Sequence, residues 1–335
     1  MSNGERSIPH TSRLPEGWSE VDRVSDVIEI DGVDVHRAGA AATSSGEEIT
    51  GSAAAAGEGA ESTAARASYE LLERVATLEA ISRSTAWTTR RRDARADAIV
   101  SAASLFPESP NPDTWRFARS NGVALHESWE EACSRAELEL IERHRALEAW
   151  LGRAGRERIA NVEHPVVAAS RTYAWQTHRL LPSEGCFSAG VEVALVVGFA
   201  REGGPMGIGF GAGRSLEAAA RSATCEAVQL LSFLWGEPVN EDPSASVTDA
   251  MAHLEHHQTA RGQGALRSWL GTDAPAAASS SRSGLAAMRF VDLTPEWLTG
   301  MRVVKAVHAD ALPLTFGESP YMHGLSADRR LHPIP

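Results

Sequence analysis

The sequence predicts an α+β fold built from three pseudo-repeated strand-strand-helix units, and three observations carry that prediction. First, one acidic pattern occurs in three copies: Glu61, Ala67, Glu70, Glu73; Glu130, Ala136, Glu139, Glu142; and Glu217, Ala223, Glu226, Gln229. Repetition at fixed offsets defines an architecture before any single motif does. Second, strand-like runs accompany the first and third copies. Val27–Ile30 and Val33–His36 alternate around the Asp31-Gly32 turn, and Val191–Val197 is followed by Met206–Phe210. Third, glycine-bearing segments precede each helical stretch, namely Gly51, Asn121-Gly122 and Gly207 to Gly213, and are read as turns.

In chain order, residues 1–20 are polar and contain Pro9, Pro15 and Gly17, which predicts a flexible N-terminal arm ahead of one domain over 21–335. The Asp31-Gly32 hairpin follows, and Thr43–Gly46 leads into the first repeat helix. In the second copy Ser128 stands three residues before Glu131, a capping-box spacing that marks a helix start, and the third copy opens on Ser215 and Glu217. Residues 244–270 predict one helix with His253, His256 and His257 near its middle. A low-complexity stretch predicts a mobile loop at 274–284, then come a strand at Met301–Val307 and a proline-ended tail at 331–335.

Composition narrows the function. The chain has 335 residues, 43% of them hydrophobic, enough for a substantial core. A net charge of −12 argues against nucleic acid or an anionic membrane as partner. No apolar run is long enough to span a membrane and the N-terminus lacks a signal-peptide core, so the expectation is a cytoplasmic protein. Cys133, Cys186 and Cys225 form no C-x-x-C pair and are expected to be buried small hydrophobes. Lys305 is the single lysine.

The glutamates make an unusual demand. Residues three apart share a side of a helix, so Glu70/Glu73 and Glu139/Glu142 are like-charged pairs, and Glu226/Gln229 is the third version. On a solvated surface such a pair costs only about 0.2–0.5 kcal/mol, so one copy alone would mean an exposed acidic stripe. Three copies, each with an Ala one turn earlier, point inward instead. If the helices converge, five carboxylates and an amide face one cavity, at several kcal/mol per uncompensated charge. Divalent cations offset that cost, and an all-oxygen set suits magnesium. Glu61, Glu130 and Glu217 fall near the helix starts, where they favour the helix dipole.

At this point the residues resemble a known family. Thr50-Gly51-Ser52 to Glu70-x-x-Glu73-Arg74, Ser120-Asn121-Gly122-Val123-Ala124 to Glu139-x-x-Glu142-Arg143, and Gly209-Phe210-Gly211-Ala212 to Glu226-x-x-Gln229 resemble, in order, the three signature blocks of YcaO-domain proteins. Val303–Val307 and the closing His332-Pro333-Ile334-Pro335 fit as well. The resemblance implies a YcaO-like fold around a nucleotide site that binds ATP and Mg2+ without a Walker loop. It implies that Glu70, Glu73, Glu139, Glu142 and Glu226 hold the metal, while Arg74, Arg143, Gln229, Ser52 and Arg66 contribute to the nucleotide site. The implied reaction is ATP-dependent phosphorylation of a backbone amide oxygen in a ribosomally made precursor peptide. Attack by a neighbouring Cys, Ser or Thr gives an azoline, and relatives form thioamides or amidines.

Departures are concentrated outside the carboxylates. Ser52 stands where a Lys is common, Arg66 where a Ser is common, His144 where an Asp often follows the second block, and Leu230 and Leu231 where an Arg commonly follows Gln229. Arg66 is the candidate to supply the missing cation, as a planar fork rather than a point charge. These departures keep a second reading open, a non-catalytic YcaO-fold subunit that binds peptide or a partner protein. The chain length leaves no room beside the YcaO core for a separate leader-binding or E1-like domain. A partner protein therefore delivers the peptide, or the chain acts alone or as a homodimer. The tail gives one catalytic candidate, because two prolines stiffen it and could present the Pro335 carboxylate as a general base.

Other candidates weigh less. His253, His256 and His257 share a helix face but lack a further ligand type nearby, so exposed histidines are expected. Trp115, Trp129, Trp150 and Trp235 read as packing residues. Gly207-Ile208-Gly209-Phe210-Gly211 lacks the spacing and trailing acid of a dinucleotide fingerprint.

Overall fold

The computed structural model describes residues 14–57, 59–111, 113–183, 187, 190–242, 248, 250–272, 288–320 and 331–334. It begins with a three-stranded antiparallel meander, β1 (Ser19–Ile30), β2 (Val33–Ser44) and β3 (Glu47–Ala56), then helix α1 (Ala60–Arg83). Strands β4 (Ala86–Arg90) and β5 (Ala96–Ser101), helix α2 (Ala102–Leu105), β6 (Trp115–Phe117) and β7 (Val123–His126) lead to α3 (Trp129–Trp150). After β8 (Arg156–Ile159), α4 (Pro165–Ala169) and β9 (Tyr173–Leu180) come β10 (Glu192–Ala200), β11 (Gly207–Gly213) and α5 (Leu216–Leu234). Helices α6 (Ala250–Gln258) and α7 (Ala260–Gly271) and strands β12 (Arg289–Asp292), β13 (Arg302–Val307) and β14 (Thr315–Gly317) complete the order.

The strands form sheets ordered β1-β2-β3, β11-β10-β9-β8, β5-β4-β12-β13-β7 and β14-β6. Each of β3, β11 and β7 is therefore an edge strand, and each faces one of the long helices. Hairpin-then-helix holds for β2-β3-α1 and for β10-β11-α5. The second copy departs from that expectation, since β7 pairs with β13, far along the chain, and α3 packs on both. The fold is mixed α and β as expected, with this one unit assembled from distant strands.

Local chemistry explains the hairpins. Asp31 and Gly32 both have positive φ (51° and 84°), the mirror-image turn that matches strand twist, and Ser45-Gly46 repeats it between β2 and β3. The glycines at 51 and 207–213 are strand residues, contrary to the turn reading and in line with the strand-like run expected at Met206–Phe210. A Cβ on Gly209 would lie 2.3 Å from the Ala223 carbonyl, one on Gly211 the same distance from Ala219, and one on Gly51 the same distance from Ala67. Alternate glycines thus let helix backbone approach strand backbone, and Ala67, Ala219 and Ala223 are the small residues opposite them. The even positions of β11, Ile208 and Phe210, point the other way into the main core.

Strand β10 is buried on both faces. Val193, Leu195, Val197 and Phe199 join the core built with α3 and α7, while Ala194 and Val196 pack against α5. Ile334 lies in the same core as β10, so residues 332–334 are a docked segment. Residues 14–18 are not loose either, because Leu14 and Trp18 pack with Leu71 and Val75, and Ser19-Glu20 already belong to β1. The rest of the predicted arm, the 274–284 loop and Pro335 lie outside the described residues. The helix expected over 244–270 is two helices, broken where the Thr259 side chain caps α7.

Candidate functional site

The repeat helices place their acids against the open edges of the sheets. An edge strand carries main-chain N–H groups with no neighbouring strand to bond, and here carboxylates take that role. Ser52 N–H of β3 donates to Glu70 Oε2 at 2.8 Å, and Phe210 N–H of β11 donates to Glu226 Oε2 at 2.6 Å. Leu125 N–H of β7 donates to Glu73 Oε2 at 2.8 Å. Gly122, just before β7, bonds Glu139 through its main chain, and Ala212 of β11 bonds Glu142 in the same way. Each acid thus has one oriented main-chain donor, which the close helix–strand approach at Gly51 and Gly209 makes reachable.

The carboxylates also face one another in a closed circuit. Charge repulsion couples Glu70 with Glu73, Glu73 with Glu139, Glu139 with Glu142, Glu142 with Glu226, and Glu226 back to Glu70. For Glu73, Glu139, Glu142 and Glu226 burial is the largest influence, and the repulsion adds to it. Together they push Glu73 up to about 7 and Glu139 and Glu142 up to about 8, and they raise Glu226 as well. The main compensating cation is Arg143, whose guanidinium lies 3.5 Å from Glu142 and 3.7 Å from Glu226. Arg74 pairs with Glu70 at 2.5 Å and also donates to the Thr50 carbonyl.

The predicted site residues therefore assemble from segments far apart in sequence. Ser52, Glu70, Arg74 and Gln229 are linked by hydrogen bonds, and Glu73, Glu139, Glu142, Arg143 and Glu226 join them through the circuit. Arg66 donates to the Ala54 carbonyl at 3.0 Å, which ties α1 to β3 and gives it a structural partner. Among the described residues, no group of three or more His, Cys, Asp or Glu side chains is arranged to hold one metal ion by itself. Magnesium commonly binds through one or two carboxylates plus substrate phosphates, and an all-oxygen, charge-excess set of this kind fits that habit.

Beside the circuit lies a cavity of about 770 Å³ lined by Glu139, Arg74, Arg143, Arg116, Arg119, Asn121, Phe106, Trp115, Phe117 and Phe316. Arg143 Nη1 and Asn121 Oδ1 are buried polar atoms without a hydrogen-bond partner among the described residues, and both residues line this cavity. One is a cationic donor, as an anionic ligand requires. A second cavity of about 690 Å³ shares Pro107, Phe117 and Asn121 with the first and includes Lys305.

Lys305 was missing from the sequence-derived site. It is 4% exposed, donates to the Asn121 carbonyl at 2.6 Å and lies over the Phe106 and Phe117 rings. Burial lowers its pKa to about 8, while nearby Glu139 favours the charged form. The available signal was the lone lysine of the chain standing inside an apolar strand, Val303-Val304-Lys305-Ala306-Val307.

The remaining candidates take structural places. His253 and His257 are buried rather than exposed, among Trp150, Phe316 and His332. Cys133 is buried, Cys225 is exposed contrary to expectation, and Cys186 lies outside the described residues. Among the described residues no helix is long and apolar enough to cross a membrane.

The family described as YcaO cyclodehydratase, ATP- and Mg2+-binding, matches residues 98–311. No curated protein matches the sequence. Among solved structures, YcaO from Methanopyrus kandleri bound with AMPPCP and Mg2+ is similar at 19% identity and a TM-score of 0.61, over 94% of this chain and 90% of that one. The E. coli microcin synthetase McbBCD complex is similar at 14% identity and 0.57, over 89% and 93%. A heterocyclase in complex with substrate and cofactor is similar at 16% identity and 0.57. There the match spans 94% of this chain but about half, 54%, of the other.

Proposed function

The chain belongs to the YcaO family, whose members are described as binding ATP and Mg2+, and on that premise we propose that it is an ATP-dependent peptide-modifying enzyme. Its substrate is the backbone amide of a ribosomally made precursor peptide, converted to an azoline by cyclodehydration or to a thioamide or amidine by a related route. The observation that supports this most directly is the coupled circuit of edge-oriented carboxylates around Arg143, opening beside a cavity with four arginines. A charge excess of that kind suits a divalent cation bridging to phosphates.

When bound, Mg2+ and ATP would supply a phosphoryl group to the amide oxygen, turning a poor leaving group into a good one. Glu70, Glu73, Glu139, Glu142 and Glu226 would hold the cations. Arg74 and Arg143 would meet the phosphates, and Lys305 adds a cation in the second cavity, where it bonds the carbonyl of Asn121, a residue lining both. Phe106, Trp115, Phe117 and Phe316 offer aromatic faces within the same cavity for a flat ring. The two neighbours solved with a substrate or as a multi-protein complex support a precursor peptide and a leader-binding or E1-like partner as the molecules this chain meets.

Calorimetry with Mg2+ and ATP tests the reading at its base, and saturable binding that disappears with EDTA is expected. Mass spectrometry of a candidate precursor peptide should then show loss of water, or replacement of oxygen by sulfur or nitrogen. Absence of nucleotide binding would favour the alternative, a non-catalytic subunit that binds peptide or a partner protein.

A further inference from the structure

The second polar residue of each repeat pair bonds the sheet edge of the next unit, and these three junctions run in one direction around the site. Glu73 of the first repeat takes the Leu125 N–H beside the second helix, and Glu142 of the second takes Ala212 of the third unit's strand. Gln229 of the third repeat returns to the first, with Nε2 at 3.2 Å from the Ser52 carbonyl and 3.3 Å from its hydroxyl. The chemistry at this last step is inverted. At the first two junctions the strand offers an N–H, so the side chain must accept and a carboxylate serves. At the third the strand offers a carbonyl, which only accepts, so the side chain must donate and an amide is required.

The reason lies in Ser52 itself. Its N–H is already committed to Glu70 Oε2 at 2.8 Å, leaving its carbonyl and hydroxyl for the third helix. We propose that Gln229 is a positioning residue whose amide N–H groups clamp the Ser52 main chain of β3 and thereby hold the donor that orients Glu70. In this reading the third repeat carries Gln in place of Glu because of the polarity of its partner, and Gln229 acts on the metal site through Ser52 and Glu70. A carboxylate at 229 would set oxygen against oxygen at the Ser52 carbonyl and loosen the junction.

The proposal builds on the metal-nucleotide reading, and its test separates the two. Gln229→Glu keeps shape and an oxygen near the site but removes the donor, and Gln229→Met removes donor and oxygen at similar length. The measurements are calorimetry with the ATP analogue AMPPCP over a Mg2+ titration, and amide hydrogen exchange over β3 without ligand. Positioning predicts that both variants need about 5- to 15-fold more Mg2+ for half-saturation, as loss of a hydrogen bond near a charged group would give. It also predicts faster exchange at the Ser52 amide in both. A direct ligand role predicts the opposite sign for Gln229→Glu, equal or tighter Mg2+ binding from the added charge, and that result overturns the proposal. Unchanged exchange at Ser52 in Gln229→Glu overturns it as well. If the wild-type chain binds no Mg2+ and AMPPCP at all, the functional reading falls, while exchange in the isosteric Gln229→Glu still decides the clamp.

Discussion

The acidic circuit should make the metal-free protein less stable as pH rises, and Glu142→Gln should remove part of that slope. Glu73 is pushed up to about 7 and Glu139 and Glu142 to about 8, against an ordinary value of 4.5. Between these limits the folded chain holds protons that the unfolded chain has released, so stability is greatest near the lower limit and declines through the higher one. For Glu142 alone, a rise from 4.5 to about 8 corresponds to an upper limit of about 5 kcal/mol at 1.36 kcal/mol per pH unit. Arg143 loses one partner when Glu142 becomes neutral, which offsets some of the gain. We therefore expect the Glu142→Gln protein to be more stable than wild type by about 1–3 kcal/mol at pH 8, a rise in Tm of about 1.5–4 °C for a chain of 335 residues. At pH 5 the two should unfold together, since Glu142 is then protonated in the folded wild-type chain. Thermal and guanidinium unfolding across pH 5–8.5 in EDTA would measure both slopes. Wild-type stability that stays flat or rises over that window would refute the charge argument, as would a Glu142→Gln deficit at both ends.

Three further outcomes follow from named contacts. Glu70→Gln and Glu226→Gln should fold but lose nucleotide turnover in a phosphate-release assay, because the charge rather than the shape of these groups compensates a cation; unchanged turnover in both would move the site elsewhere. Gly209→Ala should cost about 3 kcal/mol or more by chemical unfolding, since its Cβ would meet the Ala223 carbonyl at 2.3 Å and the Ala227 nitrogen at 2.4 Å. Gly264→Ala, in open space within α7, should instead be neutral or stabilising by up to about 1 kcal/mol. Burial pushes the Cys133 thiol up to about 12, so a maleimide should label exposed Cys225 in the native protein and reach Cys133 only on unfolding, as peptide mapping would show.

The acids were legible because a helix writes its faces into sequence spacing. Glu-x-x-Glu after Ala gave the helices, their inward sides and the gathering of distant segments, with Ala67, Ala136 and Ala223 buried. Their orientation was not legible, because the groups that aim them are main-chain N–H groups of Ser52, Leu125, Gly122, Phe210 and Ala212, which every residue but proline possesses. The same blindness made Gly51 and Gly207–Gly213 look like turns. A glycine chosen for close approach and one chosen for positive φ have the same letter, and only the partner helix tells them apart. The pairing of β7 with β13 was hidden for a third reason, since two strands far apart in the chain leave no local pattern of their contact.

These strands of reasoning meet in one structural idea. An open sheet edge is ordinarily a liability, a row of donors and acceptors ready to pair with another chain. Here three such edges turn toward the repeat helices, and side chains take the place of the missing strand. That arrangement fixes acids that are buried or half-buried without giving each one a cation, so their mutual repulsion survives folding. Fully paired acids would make a more stable protein and a poorer cation site, because every oxygen would already have its counter-charge. One N–H per carboxylate is the intermediate solution: enough to set direction, too little to neutralise. Gln229 obeys the same logic from the other side, since at the one junction where the edge presents a carbonyl, a further acid would break the ring that positions the rest.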